Sequence, residues 1–173
     1  MKRTLGILVI LVLTILAVYQ NNQTKTGSPD QIPKVGFNAP NFSLISMDRQ
    51  KTFEVKGKRD KPVVLNFWAS WCGPCRQEAP ALKAIYEKYQ DRLDFYAINL
   101  TSDDNLDSAK AFVKEFGLTF PILLDETGEV AKQYQVSSIP TSYFIDTNGV
   151  IRQKIIGAAD RGSFEQIVKE LVQ

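Results

Sequence analysis

Val63-Val64-Leu65-Asn66-Phe67-Trp68-Ala69-Ser70-Trp71-Cys72-Gly73-Pro74-Cys75-Arg76-Gln77-Glu78 is the stretch on which the reading of this chain turns. An apolar, β-branched run ends in two small residues, and Cys-x-x-Cys then opens a helical pattern. The unbroken apolar run marks a strand buried on both faces. These two cysteines are the only ones in 173 residues. Two residues apart, they can close a small disulfide ring or open to a dithiol at little backbone cost, which suits reversible two-electron exchange. A helix N-terminus, with its unpaired amides and positive dipole end, stabilises a thiolate on the first cysteine and lowers its pKa below the free value of about 8.5. Pro74 fits the first turn, because its ring presets φ and its missing N–H would have had no partner there. Cys75 falls inside that turn and is expected to be less exposed than Cys72. The candidate attacking thiol is therefore Cys72, and Cys75 is the candidate resolving thiol.

Other uses of the pair fit less well. A structural bridge would staple only a two-residue loop and gain little stability. Zinc wants four ligands, and the chain has no histidine and no further cysteine, so no metal site within one chain is expected. The same composition excludes any catalytic scheme that needs a Cys/His pair. A net charge of +2 without a basic tract gives no electrostatic reason to expect nucleic acid. Hydrophobic residues make up 44% of the chain, enough for the core of one domain of ordinary size plus a short appendage.

Trp71-Cys72-Gly73-Pro74-Cys75, with Pro80 five residues later, resembles the active site of the thioredoxin superfamily. The longer block from Leu65 to Pro80 is similar to its ResA/TlpA branch of membrane-anchored, extracytoplasmic thiol-disulfide oxidoreductases, several of which serve cytochrome c maturation. The resemblance covers residues 36–173. It implies an α/β thioredoxin-like fold, a central mixed β-sheet flanked by helices, and no cofactor. It also implies protein disulfides as substrates, with apocytochrome c the first client to consider. A membrane thiol-disulfide protein would supply electrons, because the outside compartment is oxidising. A monomer is expected.

The amino terminus fits that branch. Met1-Lys2-Arg3 precedes sixteen uncharged, mostly apolar residues, 4–19, about 24 Å of helix against a hydrocarbon core of about 30 Å. The choice is between an uncleaved anchor and a cleaved signal peptide; no small-x-small cleavage site is evident, which favours residues 1–19 as a signal-anchor, with Lys2 and Arg3 inside and the domain outside. Residues 20–35 are polar and aperiodic, as in a flexible tether.

Further along, residues 40–44 and 52–55 alternate apolar and polar around a turn and predict a β-hairpin ahead of the main fold. Leu82, Ile85, Tyr86 and Tyr89 form a helical stripe interrupted by Pro80, where a kink is expected. Residues 93–100 read as a strand. Ala109, Phe112, Val113 and Phe116 repeat the helical stripe, closed by Gly117. Residues 121–125 are a short strand and 130–134 one or two turns of helix. Residues 141–146 and 150–156 flank Thr147-Asn148-Gly149, a hairpin signal. Phe164, Ile167, Val168 and Leu171 mark a last amphipathic helix. This order is thioredoxin-like α/β with an N-terminal hairpin extension.

By the same resemblance, Ile139-Pro140 stands where thioredoxin-like proteins carry a cis-proline facing the cysteines. The backbone of Ile139 would then be free to pair with a substrate strand, although only about 5–6% of X–Pro bonds are cis in general. Trp68 reads as core, and Trp71 as a flat apolar rim for a polypeptide. Two positions depart from cytoplasmic thioredoxin: Asn66 replaces its buried aspartate and Ala97 the partner lysine. An amide takes no proton at neutral pH. Glu78, three residues past Cys75, is the matching carboxylate in the ResA/TlpA branch; otherwise it is a solvated first-turn glutamate near the helix dipole. The Gly-Pro pair is that of thioredoxin, with a reducing potential near roughly −270 mV. Two other functions are carried alongside. A peroxiredoxin-like peroxidase shares the hairpin but needs a Pro-x-x-x-Thr/Ser-x-x-Cys loop, where Leu65 and Ala69 stand here. A copper chaperone on the same fold uses a wider cysteine spacing plus histidine.

Overall fold

All six residues of β3 (Val63–Trp68) are buried, as a strand covered on both faces requires. The computed structural model describes residues 31–173, together with Thr14. Around β3 lie β1 (Phe42–Ser46), β2 (Thr52–Val55), α1 (Gly73–Tyr89), β4 (Asp94–Asn99), α2 (Leu106–Phe116), β5 (Ile122–Leu124), α3 (Glu129–Gln133), β6 (Thr141–Ile145), β7 (Ile151–Ile156) and α4 (Arg161–Leu171). The strands form one mixed sheet in the order β2-β1-β5-β4-β3-β6-β7. β3 runs parallel to β4, with Asn66 beside Ala97, and antiparallel to β6. The expected hairpin of β1 and β2 joins the sheet edge through β5. This is the thioredoxin-like α/β fold expected from the sequence.

Strand alternation splits the core in two. Val64 and Trp68 face a cluster completed by Leu82 and Ile85 of α1, Phe112 of α2 and Phe164 of α4. Val63, Leu65 and Phe67 face the other cluster, which holds Phe42, Tyr134 and Tyr143. Asn66 shares its side of the strand with Val64 and Trp68, and therefore meets α1.

Local chemistry sets the helix ends. Asn105 caps α2 by accepting from the amides of Asp107 and Ser108, and Gly117 closes it at a φ of 59°, the left-handed geometry that a residue without Cβ adopts cheaply. Asp160 caps α4 through the Ser163 amide. α1 continues past Pro80 to Tyr89. Apart from Thr14, the expected signal-anchor lies outside the described residues, as does most of the linker. Among the described residues, no helix is long and apolar enough to cross a membrane.

Candidate active site

The chain leaves β3 at Trp68 and reverses into α1, so the cysteines sit at the carboxyl end of the sheet's interior strands. Cys72 is the N-cap of α1, with extended backbone (φ −78°, ψ 108°), and its Sγ accepts from the Cys75 amide at 3.1 Å. That hydrogen bond and the helix dipole favour negative charge on Cys72 rather than on Cys75. The two sulfurs are joined as a disulfide. The expected difference in exposure is absent: Cys72 is 3% and Cys75 4% exposed, both within the core cluster that holds Trp68, Ala69, Phe112 and Phe144. Asymmetry between the thiols therefore comes from the N-cap hydrogen bond.

Glu78 corrects the solvated alternative. It is 3% exposed, on the face of α1 turned toward the sheet. Its Oε2 accepts from Asn66 Nδ2 at 3.2 Å and its Oε1 from the Ala159 amide at 3.2 Å. Asn66 Nδ2 also donates to Ser142 Oγ at 3.0 Å, tying β3, α1 and β6 into one buried polar chain. Burial pushes the Glu78 carboxyl above its usual range, and the two donors oppose that shift only in part. Glu78 follows Cys75 by three residues, one turn along α1, the spacing at which a carboxylate can exchange a proton with a thiol.

Cis geometry is present at Ile139–Pro140. The Pro140 carbonyl is occupied by the Gly157 amide at 2.8 Å. Among the described residues, the backbone N–H and C=O of Ile139 take part in no hydrogen bond, while its side chain packs against the cluster that holds both cysteines. An edge of peptide backbone beside a buried disulfide is thus left open for a second strand.

The two tryptophans divide as expected. Trp68 is core, its ring 4.6 Å from that of Phe112, with its buried Nε1 lacking a protein partner. Trp71 is 63% exposed, and its Nε1 donates to the Asp103 carbonyl at 3.0 Å. Asp104 also shapes the loop around the cysteines, with no motif to announce it. Asp104 accepts from the Ser70 amide at 2.6 Å, from Ser70 Oγ, from Asn99 Nδ2 at 2.8 Å and from the Asn105 amide at 2.8 Å. It fastens the loop before Cys72 to the loop after β4. The sequence offered only a polar Thr101-Ser102-Asp103-Asp104 run there, which reads as any surface loop. The Ala159 amide carried no signal at all, since every residue but proline has one.

A family model described as AhpC/TSA matches residues 35–154. The thioredoxin-like protein YneN of Bacillus subtilis (strain 168) is 40% identical over 132 residues, 76% of each chain. The thiol-disulfide oxidoreductase ResA of Bacillus thuringiensis subsp. konkukian is 33% identical over 177 aligned positions, 99% of each chain. Among solved structures, StoA from Bacillus subtilis superposes with a TM-score of 0.65 at 30% identity, covering 75% of this chain and 96% of its own. A thiol:disulfide interchange protein from Chlorobium tepidum TLS gives 0.70 at 28% identity, covering 79% and 96%. A cysteine pair at disulfide distance on a helix N-cap, within this fold and among these relatives, places the chain in the AhpC/TSA family as a thiol-disulfide oxidoreductase of the ResA/StoA type.

Proposed function

We propose that this oxidoreductase reduces protein disulfides outside the cytoplasmic membrane, held there by its N-terminal apolar segment, with apocytochrome c as a client. The observation that carries the reading is the open Ile139 backbone beside the Cys72–Cys75 pair, with buried Glu78 one turn away. In the dithiol form, Cys72 thiolate attacks one sulfur of a client disulfide. A Cys72–client bond forms, the client S–S bond breaks, and the departing client thiolate takes up a proton. Cys75 then gives its proton to Glu78 and attacks Cys72 Sγ. The Cys72–Cys75 disulfide forms, the Cys72–client bond breaks, the second client sulfur leaves as a thiolate that takes up the proton from Glu78, and two electrons have passed to the client. A membrane dithiol donor restores the pair by the same exchange in reverse. The Gly73-Pro74 pair supports the reductant direction, because the same pair in thioredoxin goes with a potential near roughly −270 mV.

Cys75→Ser should arrest the reaction at the mixed disulfide. Expressed in cells of its native type, the variant is expected to retain haem-free cytochrome c and other clients as adducts that dithiothreitol releases. Absence of such adducts in Cys75→Ser cells would count against the client reading. For the anchor, fractionation should leave full-length chain in membranes, accessible to external protease; a soluble form trimmed near residue 20 would show a cleaved leader instead.

Peroxide reduction is the competing chemistry, since the matching family model is AhpC/TSA. Leu65 and Ala69, fully buried, occupy the places where a peroxidase loop would offer its proline and hydroxyl. Consumption of hydrogen peroxide by the dithiol form is expected to stay near that of a free dithiol, and rapid turnover would favour the peroxidase.

A further inference from the structure

The end of the domain farthest from the cysteines gathers three chain segments. Ile151 N–H donates to the Phe37 carbonyl and Gly36 N–H to the Ile151 carbonyl, at 2.9 and 2.8 Å, which lays residues 34–38 along the start of β7. Ala39 N–H reaches the Gly149 carbonyl, and Arg59 N–H the Thr147 carbonyl. Gly57 lies so close to Gly149 that a Cβ there would stand 2.6 Å from the Gly57 oxygen. In the sheet, Val63 pairs with Ile145 at this end and Phe67 with Thr141 at the other. The six-residue β3 therefore separates this pole from the cysteine loop by about 20 Å.

Among the described residues, four large apolar side chains are exposed. Trp71 and Ile156 are at the cysteine end, the latter paired with Thr141. Val35 and Phe37, 52% and 45% exposed, are at the pole. Lys34 and Lys58 are exposed at the same pole, and among the described residues neither forms an ion pair. Lys56 pairs with Glu54 and Arg152 with Asp146, while Asp60, exposed in the Lys58 loop, opposes part of the charge.

We propose that this pole rests on an anionic lipid surface, with Val35 and Phe37 in the headgroup boundary and Lys34 and Lys58 on lipid phosphates, so that the cysteines point away from the bilayer. The inference rests on the anchor proposed above. The apolar run ends at Tyr19, and the chain enters the domain at this pole, where Gln31 bridges to Asn38. Residues 20–30, polar and aperiodic in sequence, would span about 20 Å on average as coil, so the pole is the part of the domain nearest the proposed anchor. Two apolar side chains flanked by lysines have the chemistry of an interfacial contact.

The test uses the full chain in vesicles of phosphatidylcholine, alone or with one-third phosphatidylglycerol, and follows acylation of individual lysines by a water-soluble amine reagent with mass spectrometry. Lys34 and Lys58 should react about fivefold more slowly on the anionic vesicles, and the difference should vanish in about 1 M salt, where the Debye length is about 3 Å. Lys132, at the cysteine end on α3, should react equally on both. Val35→Ser combined with Phe37→Ser should remove most of the protection. Equal rates at Lys34 and Lys58 in chain that floats with both vesicles would overturn the docking and leave the anchor standing, and so would equal slowing at Lys132. Chain that floats with neither overturns the anchor and the docking together.

Discussion

At the scale of single residues, Glu78 and Asp104 make opposite uses of a carboxylate. Glu78 is buried with two donors, and burial raises its pKa. The folded state therefore holds the proton more tightly than the unfolded chain, and this group's contribution to stability falls as pH rises from the unfolded value through the folded one. Glu78→Gln removes the penalised charge, so the Tm of the variant minus that of the wild type should increase as pH rises from the ordinary carboxylate value of 4.5. A flat difference would mean that the shift is absent. The same variant should slow resolution of the mixed disulfide by about 10²–10⁴ if Glu78 is the base for Cys75, with an altered pH–rate profile in stopped-flow. Asp104 instead meets four donors and no acceptor. Only an acceptor-only group satisfies all four; an asparagine of the same shape turns an NH₂ against them. Asp104→Asn should cost about 1–3 kcal/mol and, by loosening the loop under Trp71, raise KM for a polypeptide disulfide several-fold. Turnover of a small aromatic disulfide should stay within about twofold. Unchanged KM for the polypeptide would make Asp104 a staple without influence on substrate.

At the scale of elements, connections matter as much as propensities. The β6–β7 turn needs Gly149 at a φ of 82°, and the Gly57 backbone occupies the space a side chain would take. Gly149→Ala should destabilise by about 2–4 kcal/mol, combining left-handed strain with overpacking, as read from urea midpoints; a loss below about 1 kcal/mol would show that the Gly57 loop yields freely. Asn148-Gly149 was legible as a turn from sequence, but the Gly57 contact was not, because Gly57 lies 92 residues earlier. The five-residue α3 is similar. Its amides at Val130 and Ala131 are met by Asp125, a fully buried carboxylate before the helix, rather than by its N-cap Gly128. Helical periodicity marked the turn, and only the fold supplied its cap.

At the scale of the whole molecule, the shared sheet couples two cores. Phe164 of α4 is fully buried, with its ring 4.8 Å from that of Phe144 and 6.4 Å from that of Phe95. Phe164→Ala should cost about 3–5 kcal/mol, and near-ultraviolet circular dichroism and tryptophan fluorescence should report one coincident transition. Two separated transitions would mean that the faces unfold independently. On the other face, Tyr134 Oη donates to the Pro40 carbonyl at 2.7 Å and Tyr143 Oη to the Tyr134 carbonyl, which ties the segment before β1 to the sheet. The sequence by itself determined the strand–helix order, the hairpin, the interior place of β3 and the position of Cys72 at a helix start. Those follow from local periodicity, capping and turn chemistry, which act over a few residues. Tertiary structure alone decided that Glu78 is buried, that Cys72 is as enclosed as Cys75, and that Asp104 holds the loop before the cysteines. Each of these depends on what distant parts of the chain bring alongside: the Ala159 amide, the cluster with Phe112 and Phe144 that both cysteines join, and Ser70 reaching across from another loop. Burial and hydrogen-bond partnership are properties of such neighbours, and a helix turn or an acidic loop has the same local pattern whether they are present or not.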